Sequence, residues 1–200
     1  LILIDRKIEN LDVDIVCGDS YNGTIKLINH LLELGHEKIA MIAAPRHLST
    51  GKERIEGYKK ALKKAEINFD SDLLKVISSQ TTGFSRSKSY ELTRELITQG
   101  KEFTAVFVAN NLMALGAYKA LSEAGIKVGE DVALVCFDDL SFEFEINPFF
   151  TVMKQPAYTM GKTAAKILVN KIEDEYEDNN QKVVFQPELI VRQSSEPNQS

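Results

Sequence analysis

Short, fully apolar runs alternate with segments of helical period along this chain, and that rhythm limits the fold more than any other feature. Lys38-Ile39-Ala40-Met41-Ile42-Ala43-Ala44, Phe103 to Ala109 and Val132 to Phe137 have the length of strands and no polar alternation. A strand that is apolar on both faces must be covered on both, as in a parallel sheet flanked by helices. Between these runs, Thr24 to Leu34 carries Ile25, Ile28, Leu31 and Leu32 at helical spacing and stops at Gly35. A second helix is predicted through Ile55, Tyr58, Ala61 and Leu62, opened by a capping box at Thr50-x-x-Glu53. Further helices are expected from about Ser87 to Gln99 and through Leu112, Leu115, Tyr118 and Leu121, ended by Gly100 and Gly125. Leu1 to Ile4 reads as a strand meeting a loop at Asp5, and Leu73 to Ile77 as another strand. The rhythm predicts an α/β fold with doubly wound parallel sheets.

The last quarter reads differently. Thr151 to Gln155 is a short strand, and Pro156 opens a long helix through Met160, Ala164, Ile167 and Ile172. An acidic loop, strands at Lys182–Phe185 and Glu188–Val191, and a fraying end from Gln193 follow. In parallel sheets ligands sit outside the carboxyl ends of the strands. There the chain places Asp5, the Arg46–Thr50 loop, the Ser79–Phe84 loop, Asn110 and Asp138, a mixture of polar and aromatic groups suited to a small molecule.

Several functions are disfavoured. A net charge of -5 does not fit a surface that grips DNA phosphates by itself. Cys17 and Cys136 lie among apolar residues without metal or redox spacing, which predicts buried reduced thiols and a cytoplasmic address. No apolar stretch reaches the ~20 residues of a membrane span. Phosphate-cradling glycine loops and a nucleophile elbow are missing, and His30, His36 and His47 lack ligand spacing. No cofactor, metal or enzymatic activity is expected. Adjacent Asp138 and Asp139 point different ways past a strand, which favours one ligand-binding carboxylate with a structural neighbour over a catalytic pair. An apolar opening without an initiator Met reads as entry into the middle of a fold, so the chain is expected to be a fragment.

Several segments, in order, carry a resemblance. They are Leu34-Gly35-His36-Glu37-Lys38-Ile39-Ala40, Arg54-x-x-Gly57-Tyr58-x-x-Ala61-Leu62, Ala109-Asn110-Asn111-Leu112-Met113-Ala114-Leu115-Gly116-Ala117, and Asp131 through Asp139. Thr151-Val152-x-x-Gln155-Pro156, Gly161 and Leu189-Ile190-x-Arg192-x-Ser194 complete the set. Together they resemble the lactose/galactose-repressor family over nearly the whole chain. The resemblance implies a periplasmic-binding-protein-like core of two lobes, the first incomplete here, and no DNA-binding head within this sequence. Residues 1–18 and 153–184 would belong to the first lobe, 19–152 and 185–194 to the second, and 195–200 to a flexible tail.

The same resemblance implies an effector site and partners. Arg54 matches a guanidinium that grips the effector, against the plainer role of a helix-surface arginine. Asp138 matches a carboxylate that accepts from sugar hydroxyls, Phe84 an aromatic wall or a core residue, and Asn110 a further polar contact. Gln155 lies at a lobe crossover, as a ligand or hinge contact, Asp5 is a first-lobe candidate, and Thr50 is either a contact or a cap. Asn111 stands where the family usually has Asp, Cys136 replaces a Gly, and Leu48 occupies the place of a second ligand arginine in purine-responsive members. That argues for a sugar or sugar phosphate. A homodimer surface is implied near Ala117 and in the loop with Phe142, Phe144 and Ile146. Implied partners are operator DNA, reached through the missing head, and in some relatives a protein corepressor. The rival expectation is a secreted sugar-binding protein that feeds a transporter.

Overall fold

The computed structural model describes residues 1–78, 85–139, 149–173 and 179–196. Its strands are β1 (Ile2–Ile4), β2 (Asp14–Gly18), β3 (Ile39–Ala43), β4 (Leu74–Val76), β5 (Ala105–Val108), β6 (Ala133–Phe137), β7 (Thr151–Lys154), β8 (Lys182–Phe185) and β9 (Glu188–Ile190). The helices are α1 (Ser20–Glu33), α2 (Ser49–Lys64), α3 (Arg86–Thr98), α4 (Asn111–Glu123) and α5 (Ala157–Ile172).

Two sheets result. The larger runs β4-β3-β5-β6-β7-β9, parallel throughout except for β9, which pairs antiparallel with β7. Every residue of β3, β5 and β6 is buried, as their unbroken apolar runs require. The paired helices α1 and α2, and the paired helices α3 and α4, provide that cover. The smaller sheet has the order β1-β2-β8, all parallel, with α5 packed on it through Met160, Ala164 and Ile167 against Val16.

Helix ends follow local chemistry. Gly35, at φ +87°, ends α1 with its N–H on Leu32 O and that of His36 on Leu31 O. The expected capping box on α2 does not form. Leu48 is the N-cap, without a side-chain bond, so Thr50 lies inside the first turn and Glu53 pairs instead with Lys7. Pro156 precedes α5 as its N-cap instead of opening its first turn.

The expectation of a fraying end from Gln193 does not hold at Ser194 and Ser195, which are buried with hydroxyls to satisfy, while 197–200 lie outside the described residues. Ser194 Oγ donates to Leu134 O at 2.6 Å and accepts from Thr151 N at 2.7 Å. Ser195 Oγ lies 2.9 Å from His30 Nε2 and 2.7 Å from Thr151 Oγ1.

Strand β2 carries a buried charge. Asp14, fully buried, meets Lys171 of α5 at 2.6 Å and accepts from the Gln181 N–H at 2.9 Å. Burial pushes its carboxyl up, but the Lys171 ammonium and the Gln181 amide outweigh that and hold it below the ordinary 3.8. Its stabilising contribution is therefore present above about pH 3.8 and is lost as the pH falls through the lower folded value. Lys171→Met is expected to lower stability at neutral pH, because it strands a buried carboxylate, and to flatten the acid limb. Urea unfolding of the two proteins at neutral and acid pH reads both effects.

Candidate ligand-binding site

Polar side chains converge where strands of both sheets end. Asp5 follows β1, Asp138 follows β6 and Gln155 follows β7. Gln155 Nε2 donates to Asp138 Oδ1 at 2.6 Å and reaches Asp5 Oδ1 at 3.4 Å, so one amide ties the larger sheet to the smaller. Gln155 lies directly over Gly18 of β2, where a Cβ would fall 2.0 Å from Oε1. Asp5 and Asp138 both adopt a left-handed backbone, at φ 65°. Aspartate tolerates that region better than most residues but still at a cost, and such strain concentrates at functional sites.

Arg54 forms the floor. It projects from α2 and is only 1% exposed. Its guanidinium lies 3.7 Å above the Phe137 ring, donates to Ala109 O and faces Asp138 Oδ2 at 3.7 Å. Burial lowers its pKa from the ordinary value, opposed by the pull of Asp138 and Asp5. A planar cation stacked on an aromatic face is well suited to buried recognition. The buried side-chain atoms without a hydrogen-bond partner among the described residues include Arg54 Nε, Gln155 Oε1 and the Thr50 hydroxyl. Thr50 stands one helical turn before Arg54 on the same face of α2. Orphaned buried polar groups are costly and rare, so these atoms call for polar partners.

Asn110 is 8% exposed and caps α4, its side chain accepting from Leu112 N at 2.9 Å. Phe84, Phe142, Phe144 and Ile146 lie outside the described residues. Ala117 is fully buried in the core, so it cannot itself touch a partner; the outward residues of α4 include Leu112 and Tyr118. Cys136 is fully buried too, with its thiol donating to Asp138 O at 3.7 Å.

Phe137 was not singled out by sequence reasoning, although its place immediately before Asp138 on an apolar strand was the available signal. A groove of about 810 Å³ lies on another face of α2, between Ser49, Lys52 and Lys59 and the Lys7–Glu9 segment. Lys7 pairs there with Glu53, and Lys52 with Glu9 at 3.1 Å. No group of His, Cys, Asp and Glu that could hold a metal occurs among the described residues.

Two helix-covered sheets, with a polar cluster at their strand ends, define an α/β binding core. The chain belongs to the periplasmic binding protein-like domain family, whose profile matches residues 28–195, and to the LacI family of regulators within which its relatives are named. A LacI family transcriptional regulator from Enterococcus faecium, solved with bound ribose, is 31% identical with a TM-score of 0.83; the match covers 98% of this chain and 70% of that one. The CelR–cellobiose complex, a transcriptional regulator, is 32% identical with a TM-score of 0.87, covering 96% of this chain and 58% of that one. The HTH-type transcriptional repressor PurR of Haemophilus influenzae is 32% identical over 187 residues, 92% of this chain and 54% of its own length. The chain thus spans about half the length of the curated relatives it matches. No helix among the described residues is long and apolar enough to cross a membrane.

Proposed function

We propose that this chain is the effector-binding core of a sugar-responsive transcriptional repressor. The buried Arg54 on Phe137, facing Asp138 with polar atoms still to be satisfied, is the observation that carries the reading. Asp138 and Gln155 accept from sugar hydroxyls, and Arg54 donates to them. The named relatives, two with a sugar bound, support this class over a secreted binding protein that feeds a transporter, and over an enzyme.

The smaller sheet with α5 stands for one lobe and the larger sheet for the other, with a division near residues 1–18 and 153–184 against 19–152 and 185–194. Effector seated between them, across Gln155, favours one lobe angle and so shifts the population able to hold operator DNA. In the whole protein the partners are a second copy, operator DNA through a separate head and, in a further variant of the scheme, a protein corepressor. The setting is the cytoplasm.

Titration calorimetry of the full-length protein with D-ribose, cellobiose and a set of sugar phosphates tests the reading. Saturable binding to one of them, lost by about 100-fold or more in Asp138→Asn, is expected, since a charged acceptor is replaced where a hydroxyl donor must be met. Asn tolerates the left-handed backbone, so the stability cost of this variant comes from leaving the buried Arg54 guanidinium without its carboxylate. Binding that survives in Asp138→Asn would remove the cluster from the site. A folded dimer that binds no sugar would turn attention to a protein corepressor.

A further inference from the structure

The second carboxylate of the Asp138-Asp139 pair faces away from the ligand cluster and is held with unusual completeness. Arg192, two residues past β9, grips Asp139 with both arms of its guanidinium, at 2.8 Å to each carboxylate oxygen. The same guanidinium donates to Phe150 O at 3.0 Å, and the Arg192 N–H donates to Thr151 Oγ1 at 2.8 Å, which fixes the arginine to the start of β7. From the other side, Asn111 Nδ2 donates to the Asp139 carbonyl at 2.6 Å. Lys154 Nζ lies 3.9 Å from Asp139 Oδ2.

Asp138 sits immediately before this anchor. Its own N–H donates to Met153 O at 3.0 Å, and its carbonyl accepts from Cys136. A left-handed aspartate persists only where its surroundings over-determine it. Here the residue after it is pinned at its side chain by Arg192 and at its carbonyl by Asn111, from two segments far apart in the chain.

We propose that Arg192, through Asp139 and with Asn111, is a positioning residue that locks Asp138 in its left-handed conformation and aims its carboxylate at the ligand. The proposal rests on the reading of Asp138 as a ligand acceptor. Arg192 touches no ligand; it acts on the geometry of the residue that does. The position at 111 also acquires a reason, because only an amide, not a carboxylate, can donate to the Asp139 carbonyl.

Arg192→Lys in the full-length protein keeps the charge and removes the fork. Amide hydrogen exchange at Asp138 should accelerate by roughly 10- to 100-fold, the range set by losing charge-assisted bonds. Exchange in β5 should not change. Affinity for D-ribose or cellobiose, whichever the wild type binds, should fall by a similar factor while the unfolding midpoint moves little. Unchanged exchange at Asp138, or equal acceleration across β5 and Asp138, overturns the proposal, since the pair would then be inert or merely hold the sheet. If Arg192→Lys fails to fold, Asp139→Asn gives the same comparison. Affinity lost in Asp138→Asn but unchanged in Arg192→Lys overturns the positioning role and leaves the sugar site standing. A wild type that binds neither sugar fails that reading for these sugars, and the exchange comparison still decides whether Arg192 holds Asp138.

Discussion

Arg54→Ala should lower the stability of the folded protein by about 3 kcal/mol and abolish binding of any effector that uses this cluster. The stability loss has two sources. The guanidinium fills space over Phe137 and supplies the partner of Ala109 O, so truncation leaves a cavity and an unsatisfied carbonyl. Asp138 is left without its cation, but it is 25% exposed and still holds Gln155, which keeps the figure at the lower end of what breaking a buried pair costs. Arg54→Met separates the contributions. It restores most of the volume over Phe137 without donors, so it should recover a good part of the stability and none of the binding. Denaturant midpoints and calorimetry on the three proteins provide the comparison. Equal binding by Arg54→Met and wild type would make Arg54 a packing residue only.

Gly116→Val is expected to be as damaging, for a reason with no chemistry in it. A Cβ at Gly116 would fall 2.1 Å from Arg86 O and 3.0 Å from Tyr90 N, both backbone atoms of α3. Backbone cannot swing aside as a side chain can, so the two helices must separate, at a cost of about 3 kcal/mol or more. Gly161 on α5 is the control, because a Cβ there meets nothing within 4 Å. Gly161→Ala should therefore stabilise, by roughly 0.5–1 kcal/mol, as glycine in a helix interior normally predicts. Opposite signs from two helical glycines in thermal unfolding would confirm that close helix approach decides the first. The same explanation covers Gly57, where a Cβ would lie 2.6 Å from Tyr21 O on α1.

The centre of the larger sheet was legible because β3, β5 and β6 are apolar without interruption and α1, α3 and α4 are closed by glycines. Strand β2 was not, because it begins on Asp14, a residue that belongs in a buried strand only once Lys171 of α5 is opposite it. No local pattern carries that pairing. Thr50 misled in the same way. Thr50-x-x-Glu53 has the spacing of a cap, but Lys7 competes for Glu53 and the helix starts one residue before the threonine.

In the site, Arg54, Asp138, Gln155 and Asp5 were named from the sequence, and the structure brings them together. Phe137 beneath Arg54 and Arg192 behind Asp139 were not given those roles, since neither depends on spacing along the chain. Both arise from segments far apart in sequence that meet only in the fold.

The pairing of β2 with β8 has a consequence for how the protein is made. Residues 15–18 lie in register with 182–185. As the chain leaves the ribosome, the five parallel strands from β3 to β7 emerge and can pair with one another while β2, beside β1, still waits for β8. The small sheet is therefore completed late, just before the β9 edge of the larger sheet and after almost everything between its strands has emerged, and pairings of such long range are intrinsically slow. A nascent chain halted before residue 182 should hold β3 to β7 protected beside a β2 left open on its β8 edge, with Cys17 free to react where in the finished molecule it is sealed.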